Sequence, residues 1–325
     1  MGVTAVVLAI DAGNSKTDVA VIGADGSVLG AARGGGFQPP VVGVEAAMNG
    51  LAEAVVPALA QAGLTSVDHV SACLANADLP VEERQLAAAL RERGWGGTVE
   101  VYNDTFAILR AGLPGGAEPL GVAVVCGAGI NCVGMRPDGR TARFPAIGRI
   151  SGDWGGGLGL AEEAMWFAAR AEDGRGEPTE LVRALPGHFG LDSMYALIEA
   201  LHLGRIPMDR RHELTPVLFA TGEAGDPVAR ALVDRLAEEI VAMSSVALDR
   251  LGLLDEQTPV VLGGSVLTAR HPALDRRMSE LLAVRAPKAV IRVVSERPVL
   301  GAALLGLDRT GAPAEAHARL RAQYA

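Results

Sequence analysis

The residues of this chain that could do chemistry lie in turns that follow apolar segments. The first turn, Asp11–Thr17, reads Asp-Ala-Gly-Asn-Ser-Lys-Thr between two apolar runs. A tight turn of small residues exposes successive backbone N–H groups, which can bind phosphate oxygens. Asp11, at the strand end, offers the oxygen ligands that Mg²⁺ prefers. The turn is not a P-loop, because Ser15 stands where the glycine before Lys-Thr is required and no helix is predicted to follow.

We expect this first turn to contact a nucleotide phosphate through five residues: Gly13, Asn14, Ser15, Lys16 and Thr17. The alternative is an ordinary polar hairpin turn with a solvated lysine. A second turn, Gly127-Ala128-Gly129, also follows an apolar strand. Two such turns that face each other could hold a triphosphate from both sides.

A third glycine turn follows the apolar segment 260–262 and consists of Gly263, Gly264 and Ser265. A glycine pair allows a flat ring such as adenine to approach the backbone closely. The alternative for this turn is a plain strand–turn–helix connection.

Two carboxylates stand at positions that suit catalysis or ligand binding. Asp104 follows Asn103 at the end of a predicted strand, where it could also cap the helix predicted over 106–111. Asp153 lies in the glycine-rich run 152–156, where it could also be a solvated loop residue.

Composition narrows the classes of partner. The chain has 325 residues and a net charge of −9, and Lys16 and Lys288 are its only lysines. Because it has no basic run or basic domain, we expect neither nucleic acid nor an anionic membrane as a partner. No apolar stretch reaches the roughly 18 residues that a membrane span needs. An anionic ligand must therefore be bound locally.

Cys73, Cys126 and Cys132 show no CxxC spacing and fit a reducing cytoplasm better than a disulfide framework. We interpret them as structural thiols. The six histidines show no ligand spacing, so we expect no histidine metal site. Arg143 and Arg149 could face a cleft, but a solvated position is the simpler expectation.

Alternating apolar segments and helical patterns predict an α/β architecture with mixed sheets. The strands expected are 3–10, 18–23, 28–32, 67–74, 98–102, 121–125, 131–135, 141–145, 259–262 and 290–294. The main helices expected are 44–62, 81–93, 106–111, 161–171, 228–251, 273–284 and 298–307. The segment 310–325 is expected to be frayed or a surface helix. Residues 121–145 repeat the order of strand, glycine turn, strand, Asp-Gly hairpin and strand seen at the start, which indicates a duplicated unit.

Taken in order, these motifs resemble the BadF/BadG-type ATPases, a family of the actin and sugar-kinase ATP-binding superfamily that includes N-acetylglucosamine kinase. Residues 11–17 are similar to the family's first phosphate motif, 124–131 to its second and 260–265 to its adenosine motif. Residues 298–307 resemble its closing helix. The resemblance covers nearly the whole chain and implies two actin-like (ribonuclease H-like) domains that flank an ATP cleft.

The resemblance also implies roles for single residues. Asp104 matches the family's catalytic base, and Asn103 precedes it within the sugar site. Asp153 matches a sugar-binding aspartate, while Asn131 and Gly129 match the part of the second phosphate region that contacts sugar. The nucleotide residues are Gly127, Ala128 and those of the first and third turns. Trp154 and Gly156 depart from the family's Glu and Ser.

From this resemblance we predict an ATP- and Mg²⁺-dependent kinase for the 6-hydroxyl of N-acetylglucosamine or a close amino sugar. Glucosamine or N-acetylmuramic acid kinase, a redox-activating ATPase and a non-catalytic sugar or nucleotide sensor are the alternatives. The predicted domains are 1–118 with 297–325, and 119–296. A cytoplasmic location and a homodimer complete the expectations.

Overall fold

The computed structural model describes residues 6–325, so the first part of the strand expected over 3–10 lies outside the described residues. Within that range, the strands form two five-stranded mixed sheets. The first sheet contains β1 (Val7–Ala12), β2 (Thr17–Ile22), β3 (Val28–Gly34), β4 (Val67–Leu74) and β5 (Gly96–Asn103), in the order β3-β2-β1-β4-β5. β1 pairs antiparallel with β2 and parallel with β4. The α/β prediction is confirmed.

Helices complete the first half of the chain. They are α1 (Pro39–Val42), α2 (Val44–Gln61), α3 (Pro80–Glu92) and α4 (Thr105–Gly112). Leu51, Val55 and Leu59 of α2 are buried against the apolar side chains of one sheet face, as their helical spacing predicts.

The second sheet repeats the topology of the first. Its strands are β6 (Gly121–Cys126), β7 (Ile130–Met135), β8 (Thr141–Arg143), β9 (Thr258–Gly263) and β10 (Ala289–Val293), in the order β10-β9-β6-β7-β8. As in the first sheet, the leading strand starts an antiparallel hairpin and pairs in parallel with the fourth strand. The predicted duplication of strand order is therefore present in three dimensions.

A helical segment lies between β8 and β9 and packs on the second sheet. It comprises α5 (Gly156–Glu172), α6 (Leu181–His188), α7 (Met194–His202), α8 (Leu214–Glu223) and α9 (Pro227–Arg250). After β9 come α10 (Ser265–Thr268) and α11 (Pro272–Arg285), and after β10 come α12 (Pro298–Thr310) and α13 (Ala314–Tyr324). No helix within residues 6–325 is both long enough and apolar enough to cross a membrane.

Helices α4 and α12 lie between the two sheets. Their buried side chains form one core with residues of β1 and with Ala123, Val133 and Val261 of the second sheet. The two helices touch closely at Gly301, where a Cβ would lie 1.8 Å from the Ala107 carbonyl oxygen. The closing helix thus returns to the first sheet, although the proposed domain limits stay a prediction.

One expectation for local structure was wrong. The first strand does not end before Asp11 but continues through Ala12, because β2 and β4 both pair with it up to that residue. The C-terminal segment takes the second of its two expected forms, a surface helix. Ala316 and Leu320 of α13 are buried, and Gln323 hydrogen-bonds the backbone of the β2–β3 hairpin.

Candidate active site

The candidate site lies where the carboxyl ends of parallel strands meet. β1, β4 and β5 are parallel neighbours, so the ends of these strands share one edge of the first sheet. The Ala75 N–H donates to the Ala12 carbonyl oxygen at 2.7 Å, and the Asp104 N–H donates to the Leu74 oxygen at 3.2 Å. This continuous backbone pairing brings Asp11 and Asp104 to the same edge.

The first turn exposes backbone donors at this edge. Its base is closed by the Gly13 N–H, which donates to the Lys16 carbonyl oxygen at 2.9 Å. Asn14, Ser15 and Lys16 are exposed at the tip, and their N–H groups have no acceptor within residues 6–325. Thr17 is different, because it is buried and its hydroxyl donates to the Gly35 oxygen at 2.9 Å. The free donors of this turn are therefore backbone amides.

Asp11 is a buried carboxylate on β1. Its pKa is raised to about 7, mainly by burial and also by the nearby carboxylates of Asp104 and Asp18, against the opposing charges of Lys16 and Arg297. Its carboxylate accepts no hydrogen bond from residues 6–325. An ionised carboxylate in such surroundings needs a positive partner.

Asp104 stands at the N-terminal end of α4, but it does not cap the helix with its side chain. The Thr105 N–H instead donates to Oδ1 of Asn103 at 3.0 Å, so the simple capping alternative for Asp104 was wrong. Burial raises the pKa of Asp104 to about 6, against the effect of neighbouring backbone N–H groups. Its carboxylate is thus a base that titrates close to neutral pH.

Asn103 and Asn131 come together from the two sheets. The Asn131 Nδ2 donates to Oδ1 of Asn103 at 3.1 Å, and the Cys132 N–H donates to Oδ1 of Asn131 at 2.7 Å. Asn103 is buried and Asn131 is half-buried. The edge that carries Asp104 therefore faces the edge that carries the second turn.

The second turn packs on the start of α5. The Gly157 N–H donates to the Gly127 oxygen at 2.7 Å, and the Leu158 N–H donates to the Ala128 oxygen at 3.1 Å. Gly156 has a φ of +73°, and a Cβ there would lie 2.6 Å from the Ala128 oxygen. The departure from serine at this position is thus required by the close approach of helix and turn. Ala128 and Gly129 remain exposed.

The third turn has a packing reason for its glycines. A Cβ on Gly264 would lie 2.4 Å from the Cys126 oxygen, and a Cβ on Gly263 would lie 2.6 Å from the Ile108 side chain. Protein atoms fill the space over both glycines, as in the strand–turn–helix alternative. Ser265, at the start of α10, is exposed.

Asp153 lines a cavity of about 260 Å³ beside the second turn, together with Gly129, Arg149 and Trp154. Its Oδ2 accepts from the Ser151 hydroxyl at 2.6 Å and from the Gly148 N–H at 2.9 Å. Asp153 is therefore held by its own loop with its carboxylate at the cavity, rather than free in solvent.

Trp154 fills the position of the family's glutamate and is 7% exposed. The guanidinium of Arg235 lies 4.3 Å from its ring centroid, within the range of a cation–π contact. Its Nε1 is buried without a hydrogen-bond partner in the described part of the chain.

Sequence reasoning missed Asp78, which lies between β4 and α3. Its Oδ1 accepts from the Asn103 Nδ2 at 2.7 Å. Its pKa is raised to about 7, mainly by burial, with additions from the carboxylates of Asp104, Glu82 and Asp153 and an opposing charge from Arg143. The hydrogen bond to Asn103 places Asp78 beside the residue that precedes Asp104. No local motif marks Asp78, although its position just after a parallel strand was an available signal.

The other residues considered have structural partners. Arg143 is not solvated, because it contacts Glu83 at 2.6 Å, whereas Arg149 pairs with Glu163 and stays largely exposed, as expected. All three cysteines are buried and free, and burial raises the pKa of Cys126 to about 12 and that of Cys73 well above its usual range. They match the structural interpretation.

The residues present fit a Mg²⁺ ion that a nucleotide would bring. Asp11 offers a buried carboxylate that accepts no hydrogen bond from the described residues, with Asp104 close enough to raise its pKa. Residues 6–325 contain no cluster of three His, Cys, Asp or Glu that could hold a metal ion alone. In general Mg²⁺ is held by one or two carboxylates together with substrate phosphates, a role that Asp11 could fill.

Comparison with known proteins places this architecture among ATP-binding folds. The model of the BadF/BadG/BcrA/BcrD ATPase family matches residues 8–306. The chain is 25% identical over 302 residues to an N-acetylmuramic acid/N-acetylglucosamine kinase of Clostridium acetobutylicum, covering 92% of this chain and 97% of that one. It is also 25% identical over 210 residues to an N-acetyl-D-glucosamine kinase of Dictyostelium discoideum, covering 64% and 65% of the two chains.

Solved structures share the fold. A Chromobacterium violaceum protein with a provisional N-acetylglucosamine kinase name superposes with a TM-score of 0.66 at 24% identity, over 93% of this chain and 99% of that one. A ROK family glucokinase from Streptomyces griseus, solved with glucose and AMPPNP, gives 0.53 at 16% identity, over 93% and 99%. These similarities confirm the predicted actin-like arrangement of two mixed sheets.

Proposed function

The chain belongs to the BadF/BadG/BcrA/BcrD ATPase family, and from this premise we propose that it is an ATP-dependent amino-sugar kinase. It transfers the γ-phosphoryl group of ATP to the 6-hydroxyl of N-acetylglucosamine or a close amino sugar. The names of its two curated relatives support this substrate class. The observation that carries the proposal is the half-buried carboxyl of Asp104, with a pKa of about 6, at an edge that two glycine turns border.

In this mechanism Asp104 orients the attacking hydroxyl and accepts its proton. A pKa of about 6 leaves the carboxylate ionised near pH 7.5 yet basic enough to take the proton as the bond to phosphorus forms. Phosphoryl transfer has a loose transition state, so positioning and charge stabilisation contribute most of the rate.

The turns would bind the phosphates. The free N–H groups of Asn14, Ser15 and Lys16 form one set of donors, and the exposed amides of Ala128 and Gly129 form the other. Asp11 would hold the Mg²⁺ that accompanies the nucleotide, and that ion would neutralise charge on the phosphates. A chain with net charge −9 can thus bind a triphosphate through local donors.

The sugar would lie near Asp153 and Asn131. Asp153 keeps a carboxylate at the cavity beside the second turn, where ionised oxygens can accept hydrogen bonds from ring hydroxyls. The Asn131 side-chain amide donates one of its two N–H groups to Asn103, so the second N–H is the one that could donate to a sugar.

A coupled assay of ADP release tests the proposal. Glucosamine, N-acetylglucosamine, N-acetylmannosamine, N-acetylmuramic acid and glucose would be compared at saturating ATP. We expect the largest kcat/KM for an N-acetylated amino sugar. Absence of sugar-dependent release with all five would overturn the proposal.

The redox-activator alternative has less support. A cluster shared between two subunits needs thiols at a surface, whereas Cys73, Cys126 and Cys132 are each 0% exposed. Iron content after anaerobic purification distinguishes the two functions. A redox activator would contain iron in stoichiometric amount, and the kinase would not. A cytoplasmic location and a homodimer stay predictions, which fractionation and light scattering would test.

A further inference from the structure

The loop Asn76–Asp78, between β4 and α3, connects three parts of the candidate site. No motif in the sequence singled it out. Both of its ends are fixed, because Ala75 pairs with Ala12 at 2.7 Å and the Glu82 carboxylate accepts from the Asp78 N–H at 3.2 Å. The loop therefore has little conformational freedom, and the residues that hydrogen-bond to it are restricted in position.

Asn76 joins the loop to the first turn. Its Nδ2 donates to Oδ1 of Asn14 at 3.0 Å and to the Phe37 oxygen at 3.1 Å. Its φ is +62°, a left-handed conformation that costs free energy for a residue with a side chain. Such a conformation persists where surrounding contacts enforce it, and such positions cluster at functional sites.

Asp78 joins the loop to Asn103. The Thr105 N–H can only donate, so the oxygen of the Asn103 amide must face Thr105 and its nitrogen must face Asp78. The same oxygen accepts from Asn131 of the second sheet at 3.1 Å. Asp78 thus holds the Asn103 amide in the one orientation that can receive Asn131.

Arg143 provides a second link from the loop to the second sheet. Its Nη2 donates to the Ala77 oxygen at 2.9 Å, while its Nη1 contacts Oε1 of Glu83 at 2.6 Å. The loop therefore contacts the second half of the chain directly as well as through Asn103.

We propose that the Asn76–Asp78 loop is a positioning element that sets the first turn, the Asn103–Asp104 pair and Asn131 relative to one another. Asp78 acts through Asn103 and is a positioning residue, not the base. The catalytic consequence rests on the proposed function, because alignment of phosphoryl donor and acceptor is what the kinase reaction requires.

Turnover of Asp78 variants gives the first test. Asp78→Ala removes the acceptor of the Asn103 amide and should lower kcat about 10- to 100-fold, the scale of a small misplacement of reacting groups. Asp78→Asn keeps an oxygen acceptor but loses the charge, so it should retain kcat within about 3-fold. The control is Asp255→Ala, which removes an exposed carboxylate just before β9, at the end of that strand remote from Gly263.

Each outcome of this series decides the question. Full activity in Asp78→Ala overturns the proposal. Equal losses in Asp78→Ala and Asp78→Asn also overturn it, because they would assign the role to the charge. A melting temperature that falls in Asp78→Ala while kcat of the remaining folded enzyme is normal assigns Asp78 a merely structural role.

Amide hydrogen exchange tests the same network without any activity. Asp78→Ala should accelerate exchange at Thr105 and Cys132, whose N–H groups are bonded to the two asparagines, by at least ~10-fold relative to wild type. Asp78→Asn and Asp255→Ala should leave both rates unchanged. Unchanged rates in Asp78→Ala overturn the proposal.

These readouts separate the two hypotheses. If wild type phosphorylates none of the five sugars but the exchange pattern is as expected, the kinase proposal fails and the positioning role of the loop stands. Asn76→Gly tests the hydrogen bond between the loop and Asn14 without adding backbone strain, because glycine accepts a φ of +62°. It should raise the KM for ATP several-fold with an unchanged melting temperature, and an unchanged KM would contradict the link to Asn14.

Discussion

Asp11 and Asp18 are directly opposite each other on β1 and β2, and both are buried. Their pKa values are nevertheless shifted in opposite directions from that of a free aspartate. Burial acts to raise the pKa of Asp18, but hydrogen bonds and charges from Arg33 and Arg297 outweigh it and lower the pKa. No arginine among residues 6–325 hydrogen-bonds Asp11, and its pKa is raised to about 7, mainly by burial. One carboxylate is thus permanently paired, and the other is left for a cation.

Replacing Asp11 by Asn should stabilise the nucleotide-free protein at alkaline pH. The folded pKa of about 7 lies above the unfolded value of about 3.9, so the stability associated with the protonated acid is complete below pH 4 and is lost as pH rises through 7. Asp11→Asn should raise the free energy of unfolding on the order of 2 kcal/mol at pH 8. It should have little effect at pH 4.

Chemical denaturation at the two pH values measures this difference, and titration calorimetry with Mg²⁺·AMPPNP measures its cost in binding. We expect weaker binding of the magnesium complex by the variant. If the gain in unfolding free energy of Asp11→Asn over wild type is no larger at pH 8 than at pH 4, the buried carboxylate does not destabilise the protein as predicted.

Asp104→Asn should lower kcat by roughly 10²–10⁴-fold, the range for loss of a general base. Nucleotide affinity should remain close to wild type, because the turn amides do not involve this carboxylate. Steady-state kinetics and calorimetry with AMPPNP check the two parts. Near-normal turnover would remove Asp104 from the role of base.

The pH dependence of kcat/KM should report this carboxyl. Asp104 must be ionised to accept a proton, so the rate should fall as pH decreases through about 6. Asp11, with a pKa of about 7, begins to protonate earlier and should make the fall steeper than that of a single group. A flat profile down to pH 5 would contradict the prediction.

Asp153→Ala should raise the KM for the sugar at least ~10-fold, since hydrogen bonds to a charged group contribute about 1.5–3 kcal/mol. Asp153 also orders its own loop through Ser151, so Ser151→Ala serves as the control for loop order. Equal effects of the two variants, or no change in KM for Asp153→Ala, would place the sugar elsewhere.

Gly156→Ala should destabilise the protein by more than Gly139→Ala. Both glycines have positive φ, which costs an L residue about 1–2 kcal/mol, but nothing lies within 4 Å of a Cβ at Gly139. At Gly156 the added carbon meets the Ala128 oxygen at 2.6 Å, and such overpacking costs about 1–3 kcal/mol more. Thermal or chemical unfolding of both variants measures the difference. Equal losses of stability in the two variants would mean that the second turn can shift away from α5 without a measurable loss of stability.

The order of elements and most of the turns could be predicted from the amino-acid sequence. Alternating apolar strands and helical spacing are local patterns, so α2, β4 and the repeated hairpins were predicted to within a few residues. The sequence also marked Asp104 and Asp153, because each follows a local signal of a strand end or a glycine run. The end of the first strand was misjudged, since a polar Asp11 reads as a loop until its two neighbouring strands are known.

Which of these groups are already hydrogen-bonded could not be predicted and is known from the folded arrangement. The hydroxyl of Thr17 bonds the Gly35 oxygen, and the Asn103 amide bonds partners 25 and 28 residues away. Asp78 enters the site because β4 and β5 are parallel neighbours, which no spacing along the chain encodes. Hydrogen bonding and burial depend on distances between segments remote in sequence, so the chemistry was readable from the chain but its geometry was not.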